Sequence, residues 1–233
     1  MKKIIALFVA TLLVLLTVFA TTSCSKQQEE GLQQQIVATE PDYTDENGVG
    51  YKIQDDGTLE VTVSGAVTDV VIPSEYQGLT VTAIGKSTFK MTNIKTITLP
   101  DTIKSINDRA FAFCDTLETI VIPDSVESIG MNAFAGCFNI KSINLPKKLK
   151  TIGKYAFNSV PITEITIPKK VELIDEYAFS QCAQLRVINI LSENTAIAPF
   201  AFNDISDLTI KAPNNSLAHT YAIENNINFV NSK

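Results

Sequence analysis

Three cysteines are the side chains of this chain whose spacing could support reactive or metal-binding chemistry. Cys114, Cys137 and Cys182 each lie three residues after a phenylalanine of a repeated segment. The other copies of the segment carry Thr92, Val160 and Ile205 there. Because Val and Ile replace Cys, the position favours a small or medium apolar group, which predicts buried free thiols. A disulfide between Cys114 and Cys137 is the alternative in an exported protein, although side chains in register point parallel rather than at each other.

Metal and catalytic chemistry find little support. No CxxC or paired-histidine spacing accompanies the cysteines, so no metal site is expected. His219 is the only histidine, and no nucleophile–histidine arrangement or Gly-rich phosphate loop can be built around it. We therefore expect a surface or capping role for His219, no cofactor and no enzymatic activity. The net charge of −6 also disfavours nucleic-acid binding, which needs a basic surface.

The first candidate binding surface is formed by the outward positions of short strands in which apolar and polar residues alternate. We call these positions the strand panel: Asp69, Val71, Thr96, Thr98, Thr119, Val121, Ser142, Asn144, Glu164, Thr166, Val187 and Asn189. Most are small hydroxyl or amide side chains with little charge. Binding faces usually carry aromatic or Arg anchors, so a solvated face of strand-favouring residues and a ligand-binding face both remain open.

Two other columns of side chains could bind a partner. One is the lysine cluster: Lys147, Lys148, Lys150, Lys154, Lys169 and Lys170. It is either a solvated rim or a site for an anionic glycan or an acidic partner. The other is the aromatic stripe, Tyr155, Tyr177 and Phe200, each two residues before a repeated phenylalanine. It is either packing between repeats or a contact patch.

A repeat of 22 or 23 residues positions all of these side chains. Its phenylalanines are Phe89, Phe111, Phe134, Phe157, Phe179 and Phe202, each preceded five residues earlier by an isoleucine. A fixed period of this length indicates units that contact mainly their neighbours, with the phenylalanine rings stacked as a ladder. Each unit is predicted to be a strand, a turn, a short helix or 3₁₀ turn, and a turn. The residue after the isoleucine, such as Gly130 or Asp175, favours a helix N-cap or left-handed backbone.

The two ends of the chain differ from the repeats. Residues 1–23 have the basic start and apolar run of a secretory signal, and Cys24 is then the expected lipidation site. Residues 24–42 are a Gln/Glu-rich segment that we interpret as a lipid-anchored flexible tether. Residues 43–80 are predicted to form an N-terminal hairpin cap and first strand, residues 81–213 six repeats, and residues 214–233 a C-terminal cap.

Units such as Asp101–Pro123 and Asp124–Pro146 closely resemble the BspA-type (Treponema pallidum-type) leucine-rich repeats. The resemblance covers about residues 49–233. It implies an α/β repeat solenoid, a right-handed curved leucine-rich-repeat coil whose concave face is lined by parallel strands. It also implies a bacterial surface protein, since several members of the family act as adhesins.

These observations together predict a non-enzymatic protein-binding lipoprotein, expected to be monomeric and lipid-anchored in the bacterial outer membrane at the cell surface. Its partner would be a host matrix, bacterial or envelope protein, with the strand panel as the first candidate site. The alternatives are a glycan-binding accessory lipoprotein that uses the lysine cluster or the aromatic stripe, and a structural envelope component without a soluble ligand.

Overall fold

The structure, a computed structural model, describes residues 40–64 and 68–232, and its elements recur with the period of the sequence. The first strands are β1 (Tyr43–Thr44), β2 (Val49–Ile53), β3 (Leu59–Ser64), β4 (Asp69–Val71), β5 (Glu75–Tyr76) and β6 (Leu79–Ile84). The strands of the repeats are β7 (Thr96–Thr98), β8 (Ser105–Ile106), β9 (Thr119–Val121), β10 (Ser128–Ile129), β11 (Thr151–Ile152), β12 (Glu164–Ile167), β13 (Leu173–Ile174), β14 (Val187–Ile190), β15 (Ala196–Ile197) and β16 (Thr209–Ala212). Helix α1 (Leu217–Glu224) and strand β17 (Asn228–Asn231) end the described chain.

A continuous ladder of short parallel strands joins the repeats along one side of the solenoid. The order of its strands is β6, β8, β10, β11, β13 and β15, and the antiparallel strands β1, β2 and β3 extend it at the N-terminal end. The isoleucine of each unit pairs with its equivalent, as Ile129 does with Ile106 and Ile152. This in-register stacking is the parallel solenoid that the sequence predicts.

A second set of parallel strands carries the strand panel, and it forms two sheets. One has the order β4, β7 and β9, and the other β12, β14, β16 and β17. The inward residues of these strands, such as Ile120 and Ile188, are buried, whereas Thr119 and Thr166 face solvent. This alternation is what a sheet with one face on the core requires.

A third ladder runs through the turns around each repeated phenylalanine. Around Phe111, the residues two before and two after it, Arg109 and Phe113, have positive φ angles of 56° and 58°. The N–H groups of all three donate to carbonyl oxygens of the next repeat, as Phe111 does to Ala133 at 2.8 Å. The positive φ angles turn these N–H groups along the solenoid axis, so that the main-chain donors of the turn find partners without a helix.

Two details of the predicted unit are wrong. The segment before each phenylalanine consists of hydrogen-bonded turns, and α1 is the only helix within residues 40–64 and 68–232. The residues after the isoleucines, three of which are glycines, are not left-handed. A Cβ on Gly130 would lie 2.6 Å from Oδ1 of Asp108, and one on Gly153 would lie 2.7 Å from the carbonyl carbon of Gly130. These glycines therefore allow neighbouring repeats to approach closely, and the left-handed residues lie elsewhere in the turn.

The core is a single stack of phenylalanine rings flanked by aliphatic side chains. Successive ring centroids from Phe89 to Phe179 are 5.2–5.4 Å apart, and the Phe179–Phe202 distance is 5.9 Å. At the C-terminal end, Tyr221 of α1 meets Phe202 edge to face with a centroid distance of 5.8 Å. No helix in the described part of the chain combines the length and apolarity needed to cross a membrane.

Candidate functional site

The structure aligns the predicted strand panel in register but divides it in two. In the N-terminal part, Asp69, Thr96, Thr119 and Ser142 lie side by side on successive repeats. In the C-terminal part, Glu164 pairs with Val187 and Thr166 with Asn189. The described panel residues are exposed, except that Val187 and Asn189 are half-buried. Two of them are apolar side chains largely open to water, Val71 at 70% and Val121 at 78% exposure.

Hydrogen bonds between repeats fix the polar side chains of the panel. The Thr96 hydroxyl donates to Oδ1 of Asp69 at 2.7 Å, and the Asn189 amide donates to Oε1 of Glu164 at 2.7 Å. The Thr96 hydroxyl, together with that of Thr68, holds the pKa of the Asp69 carboxyl below its usual value. The two carboxylates of the panel, Asp69 and Glu164, thus already accept hydrogen bonds from panel side chains of the next repeat.

The division of the panel is an open cleft between two neighbouring repeats. Strand β9 continues only as an isolated bridge from Thr119 to Ser142, and within the described residues β12 pairs with β14 alone. A cleft of about 360 Å³ opens between the segments 143–145 and 164–167. The sequence predicted continuous pairing here, and this prediction is wrong. The segment between the ladder phenylalanine and β12 differs from the equivalent segments of the other repeats in containing a proline, Pro161, which has no N–H to donate.

Half of the lysine cluster is neutralised by the neighbouring repeats. Nζ of Lys147 lies 2.6 Å from Oδ2 of Asp124, and Nζ of Lys150 lies 2.6 Å from Oε2 of Glu127. The Lys147 ammonium keeps the pKa of Asp124 below its ordinary value, and its own pKa is raised by the same contact. Lys154 pairs with Glu176. These exposed pairs contribute little to stability, but they offset half of the cluster's positive charge.

Three lysines of the cluster keep their charge unpaired. No salt bridge within residues 40–64 and 68–232 involves Lys148, Lys169 or Lys170, and all three are exposed. Lys169 and Lys170 border a hollow of about 290 Å³ whose lining also includes Ser192, Asn194 and the carboxylate of Glu172. This arrangement could attract an anionic group, but it is shallow and lacks a buried polar side chain to orient one.

The aromatic stripe is a stack of rings on the surface. The centroids of Tyr155 and Tyr177 are 4.8 Å apart, and those of Tyr177 and Phe200 are 5.4 Å apart, with the rings nearly parallel. The Lys154 ammonium lies 5.8 Å from the Tyr155 centroid. Because the rings cover one another's faces, mainly their edges and the outer face of Phe200 remain for a ligand. A sugar ring would need an uncovered aromatic face, and most faces of the stripe are covered. This geometry therefore favours a role of the stripe in packing between repeats.

The three repeat cysteines are free and fully buried. Each thiol donates to the carbonyl oxygen of the ladder phenylalanine one repeat earlier; Cys137 does so to Phe111 at 3.0 Å and Cys182 to Phe157 at 3.1 Å. Burial raises the pKa of Cys182 to about 12. The Cys114 thiol and burial likewise raise the pKa of Cys137. The contact with Cys137 instead lowers the pKa of Cys114. The thiols thus act as hydrogen-bond donors in the core, and this role goes beyond the apolar packing that the sequence indicated.

His219 lies at the start of α1. Its main-chain N–H donates to Oγ of Ser216, the N-cap residue, at 3.1 Å. Its Nδ1 accepts the N–H of Asn215 at 3.1 Å, and its ring stacks on Phe229 with a centroid distance of 4.1 Å. Within the described residues, no group of three His, Cys, Asp or Glu side chains is placed to hold a metal ion.

Sequence reasoning missed a set of exposed apolar side chains on the N-terminal repeats. Met91, Phe113 and Phe138 are 70%, 48% and 54% exposed, and the Phe113 ring lies over Gly136. Met91 and Phe113 occupy the left-handed position two residues after the ladder phenylalanine. The signal was available in the sequence, because later repeats carry Ser159, Gln181 and Asp204 at that position. The predicted signal, the tether up to residue 39 and Cys24 lie outside the described residues.

Comparison with known proteins identifies the repeat. The family model for the BspA type leucine-rich repeat region matches six copies across residues 78–229.

The chain belongs to the BspA-type leucine-rich-repeat family.

Solved structures of leucine-rich-repeat proteins share this fold. A Bacteroides ovatus protein matches with a TM-score of 0.57 and 24% identity over 82% of this chain and 67% of its own. The T. pallidum leucine-rich-repeat protein matches with a TM-score of 0.60 and 20% identity over 81% and 97%. The pneumococcal vaccine antigen PcpA matches with a TM-score of 0.63 and 20% identity over 81% of this chain and 49% of PcpA. A search of curated proteins found no match.

Membership of the BspA-type family fixes the general role of the fold. Leucine-rich-repeat proteins generally bind proteins, and the repeat fold is typically a non-enzymatic binding scaffold. The candidate site on such a scaffold is therefore a surface, and the strand panel, the lysine cluster and the aromatic stripe are the surfaces that the sequence singled out.

Proposed function

We propose that this chain is a non-enzymatic, adhesin-like protein-binding lipoprotein, and that the strand panel is its binding surface. The observation that carries this proposal is the alignment of small panel side chains on successive repeats, with Val71 and Val121 open to water. Exposed apolar groups among small, mostly uncharged polar ones provide contact area at a low cost of removing water from charges. The partner would be a host matrix, bacterial or envelope protein.

Solid-phase binding to immobilised matrix proteins tests this role of the panel. We expect Thr119→Arg, which places a long charged side chain in the panel, to weaken binding at least about 10-fold, since burying an unpaired charge opposes association. Thr220→Arg on the exposed side of α1 is the matched control and should bind like the parent. If Thr119→Arg also binds like the parent, the panel is not the site.

A second candidate function is binding of an anionic glycan by Lys148, Lys169 and Lys170, because these are the lysines of the cluster without an ion pair. A glycan array separates this candidate from the first. Lys148→Glu combined with Lys170→Glu should abolish glycan binding and leave protein binding intact. Because the rings of the aromatic stripe cover one another's faces, the stripe does not add support for glycan binding.

We also propose that Cys24 carries the lipid anchor, in line with the apolar run and polar tether of the sequence. Palmitate labelling of the expressed protein and of its Cys24→Ala variant tests this step. Label in the parent and none in the variant is the expected result. Protease treatment of intact cells then distinguishes an anchor facing outward from one facing the periplasm.

A further inference from the structure

The cleft in the strand panel is confined to one side of the solenoid. At the same junction, Ser128 pairs with Thr151 in the side ladder. In the turn ladder, the Phe134 N–H donates to the Ala156 carbonyl at 2.8 Å. The ladder rings of the two repeats also stay 5.4 Å apart. Since two of three ladders and the core remain closed, the repeats separate as a wedge that opens only on the panel.

The walls of the cleft include main-chain groups that the ladder does not pair. In a parallel strand, alternate residues direct their N–H and C=O groups to opposite neighbours. The Leu191 N–H donates to the Ile167 carbonyl at 3.2 Å. The main-chain N–H and C=O groups of Ile167 and Ile165 therefore point towards β14. Glu164 and Thr166 therefore direct their N–H and C=O groups into the cleft, towards a segment with which β12 forms no strand pair.

The remaining lining is apolar at the base and has two charged residues at the rim. Ile143, Leu145 and Ile165 lie at its base, and Leu191, at its side, is half exposed. The two charged residues of the rim already have partners: Lys147 pairs with Asp124 at 2.6 Å, and Glu164 accepts from Asn189 at 2.7 Å. The volume of about 360 Å³ lies at the lower end of the range for small-ligand pockets, about 300–1,000 Å³.

We propose that this cleft receives a short, uncharged, extended peptide segment of the partner protein, with one apolar side chain on the isoleucine and leucine base. A peptide supplies both donors and acceptors to the main-chain groups of Glu164 and Thr166, as in other strand-edge complexes. The walls provide no aromatic face for a sugar ring and no unpaired cation for an acidic group. The inference rests on the proposed protein-binding function and assigns its central contact.

Amide hydrogen exchange tests whether the cleft edge is unpaired. Val187 and Asn189 of β14 are the register equivalents of Glu164 and Thr166, and they face a paired strand. We expect the amides of Glu164 and Thr166 to exchange at least about 10-fold faster than those of Val187 and Asn189, because unpaired amides open to water lack protection. Equal protection in the two strands would overturn the proposal.

Panning a phage library of random dodecapeptides on the full chain tests the occupant. We expect enriched peptides of low charge whose binding falls at least about 10-fold in Asn144→Arg, since a long charged side chain at the rim fills the cleft. Binding should persist in the Thr220→Arg control, and far-UV circular dichroism of both variants should match the parent. Peptides lost in Thr119→Arg but not in Asn144→Arg overturn the cleft while leaving the panel as a protein-binding surface. Failure to enrich any peptide overturns the peptide occupant, and the matrix-protein assay then judges protein binding separately.

Discussion

At the scale of single residues, the phenylalanines of the ladder and the rings of the aromatic stripe both stack on their neighbours but differ in burial. Phe134 is fully buried, with its ring between those of Phe111 and Phe157 at 5.2 and 5.4 Å. Phe200 also stacks, at 5.4 Å from Tyr177, but it is 56% exposed. The two positions therefore separate the contribution of burial from that of ring stacking.

Replacing Phe134 by Ala should lower the free energy of unfolding by about 3–5 kcal/mol, because it removes a buried ring and leaves a cavity. Phe200→Ala is the matched control and should cost no more than about 1.5 kcal/mol, the upper range for one aromatic pair. Urea unfolding followed by circular dichroism measures both values. Similar losses in the two variants would contradict a core organised around the ladder.

The buried thiols make stability depend on alkaline pH. The pKa of Cys182 rises from an unfolded value of 9.0 to about 12 in the folded chain, so the folded state retains a proton that the unfolded state loses. The stability from this thiol is complete below pH 9 and is lost as the pH rises towards 12. We expect the free energy of unfolding to fall by up to about 1.4 kcal/mol per pH unit for this thiol in that window.

Cys182→Val introduces the residue type that another repeat has at the same position, Val160. This variant should reduce the fall of the free energy of unfolding with pH above pH 9 and leave its pH dependence below pH 9 unchanged. Urea unfolding in a reducing buffer at about pH 7.5, 9 and 10 tests it. The contact between Cys114 and Cys137 shifts the pKa values of these two thiols in opposite directions, and the substitution at Cys182 leaves this pair unchanged. An identical alkaline slope in parent and variant would show that Cys182 does not titrate as its burial requires.

At the scale of elements, the turn around each phenylalanine depends on two left-handed residues that are rarely glycine. Met91 has a φ of 57° and is 70% exposed. Its side chain therefore contributes little to packing, and the left-handed backbone is the main constraint on the residue at this position. A β-branched residue is the least tolerant of this conformation, and glycine the most.

Met91→Gly should therefore be more stable than Met91→Val by about 1–2 kcal/mol, the cost of left-handed backbone for a residue with a Cβ. The same two substitutions at Lys90, which is exposed but lacks a positive φ, should give the opposite order. Thermal unfolding of the four variants measures the difference. If both positions prefer valine, the turn tolerates side chains better than its φ angle indicates.

The sequence predicted the period, the phenylalanine ladder, the family and the strands, because each depends on hydrophobic spacing. It did not predict the left-handed residues, since Tyr155 and Phe200 are types that seldom adopt positive φ. The cleft was also missed. The segment around Ile143 alternates like a strand. The segment from Phe157 to β12 is one residue shorter than its equivalent in the preceding repeat, but this alone does not explain the break, because β14 and β16 pair across the same difference in length. Pro161 is the feature that distinguishes the broken junction.

At the scale of the whole molecule, the three ladders make each repeat dependent on its two neighbours. Six isoleucines, six phenylalanines and the turn N–H groups repeat at the same spacing, so a unit removed from the middle leaves partners that can pair with the next unit. The C-terminal end differs, because Ile210 of β16 pairs with Phe229 of β17 and Phe202 packs on Tyr221. Nothing in the repeats replaces these contacts.

Deleting residues 101–123, one 23-residue period, should thus leave a folded solenoid of lower stability that unfolds in one transition, as nearest-neighbour coupling requires. Truncating the chain after Ala212, which removes α1 and β17, takes away a similar length but exposes the inward face of the last repeat. We expect the truncated chain to melt at least about 5 °C below the internally deleted one and to associate in size-exclusion chromatography, since an uncovered strand edge invites pairing. The reverse order of melting temperatures would mean that the stability of the solenoid resides in a particular repeat rather than in the covering of its end.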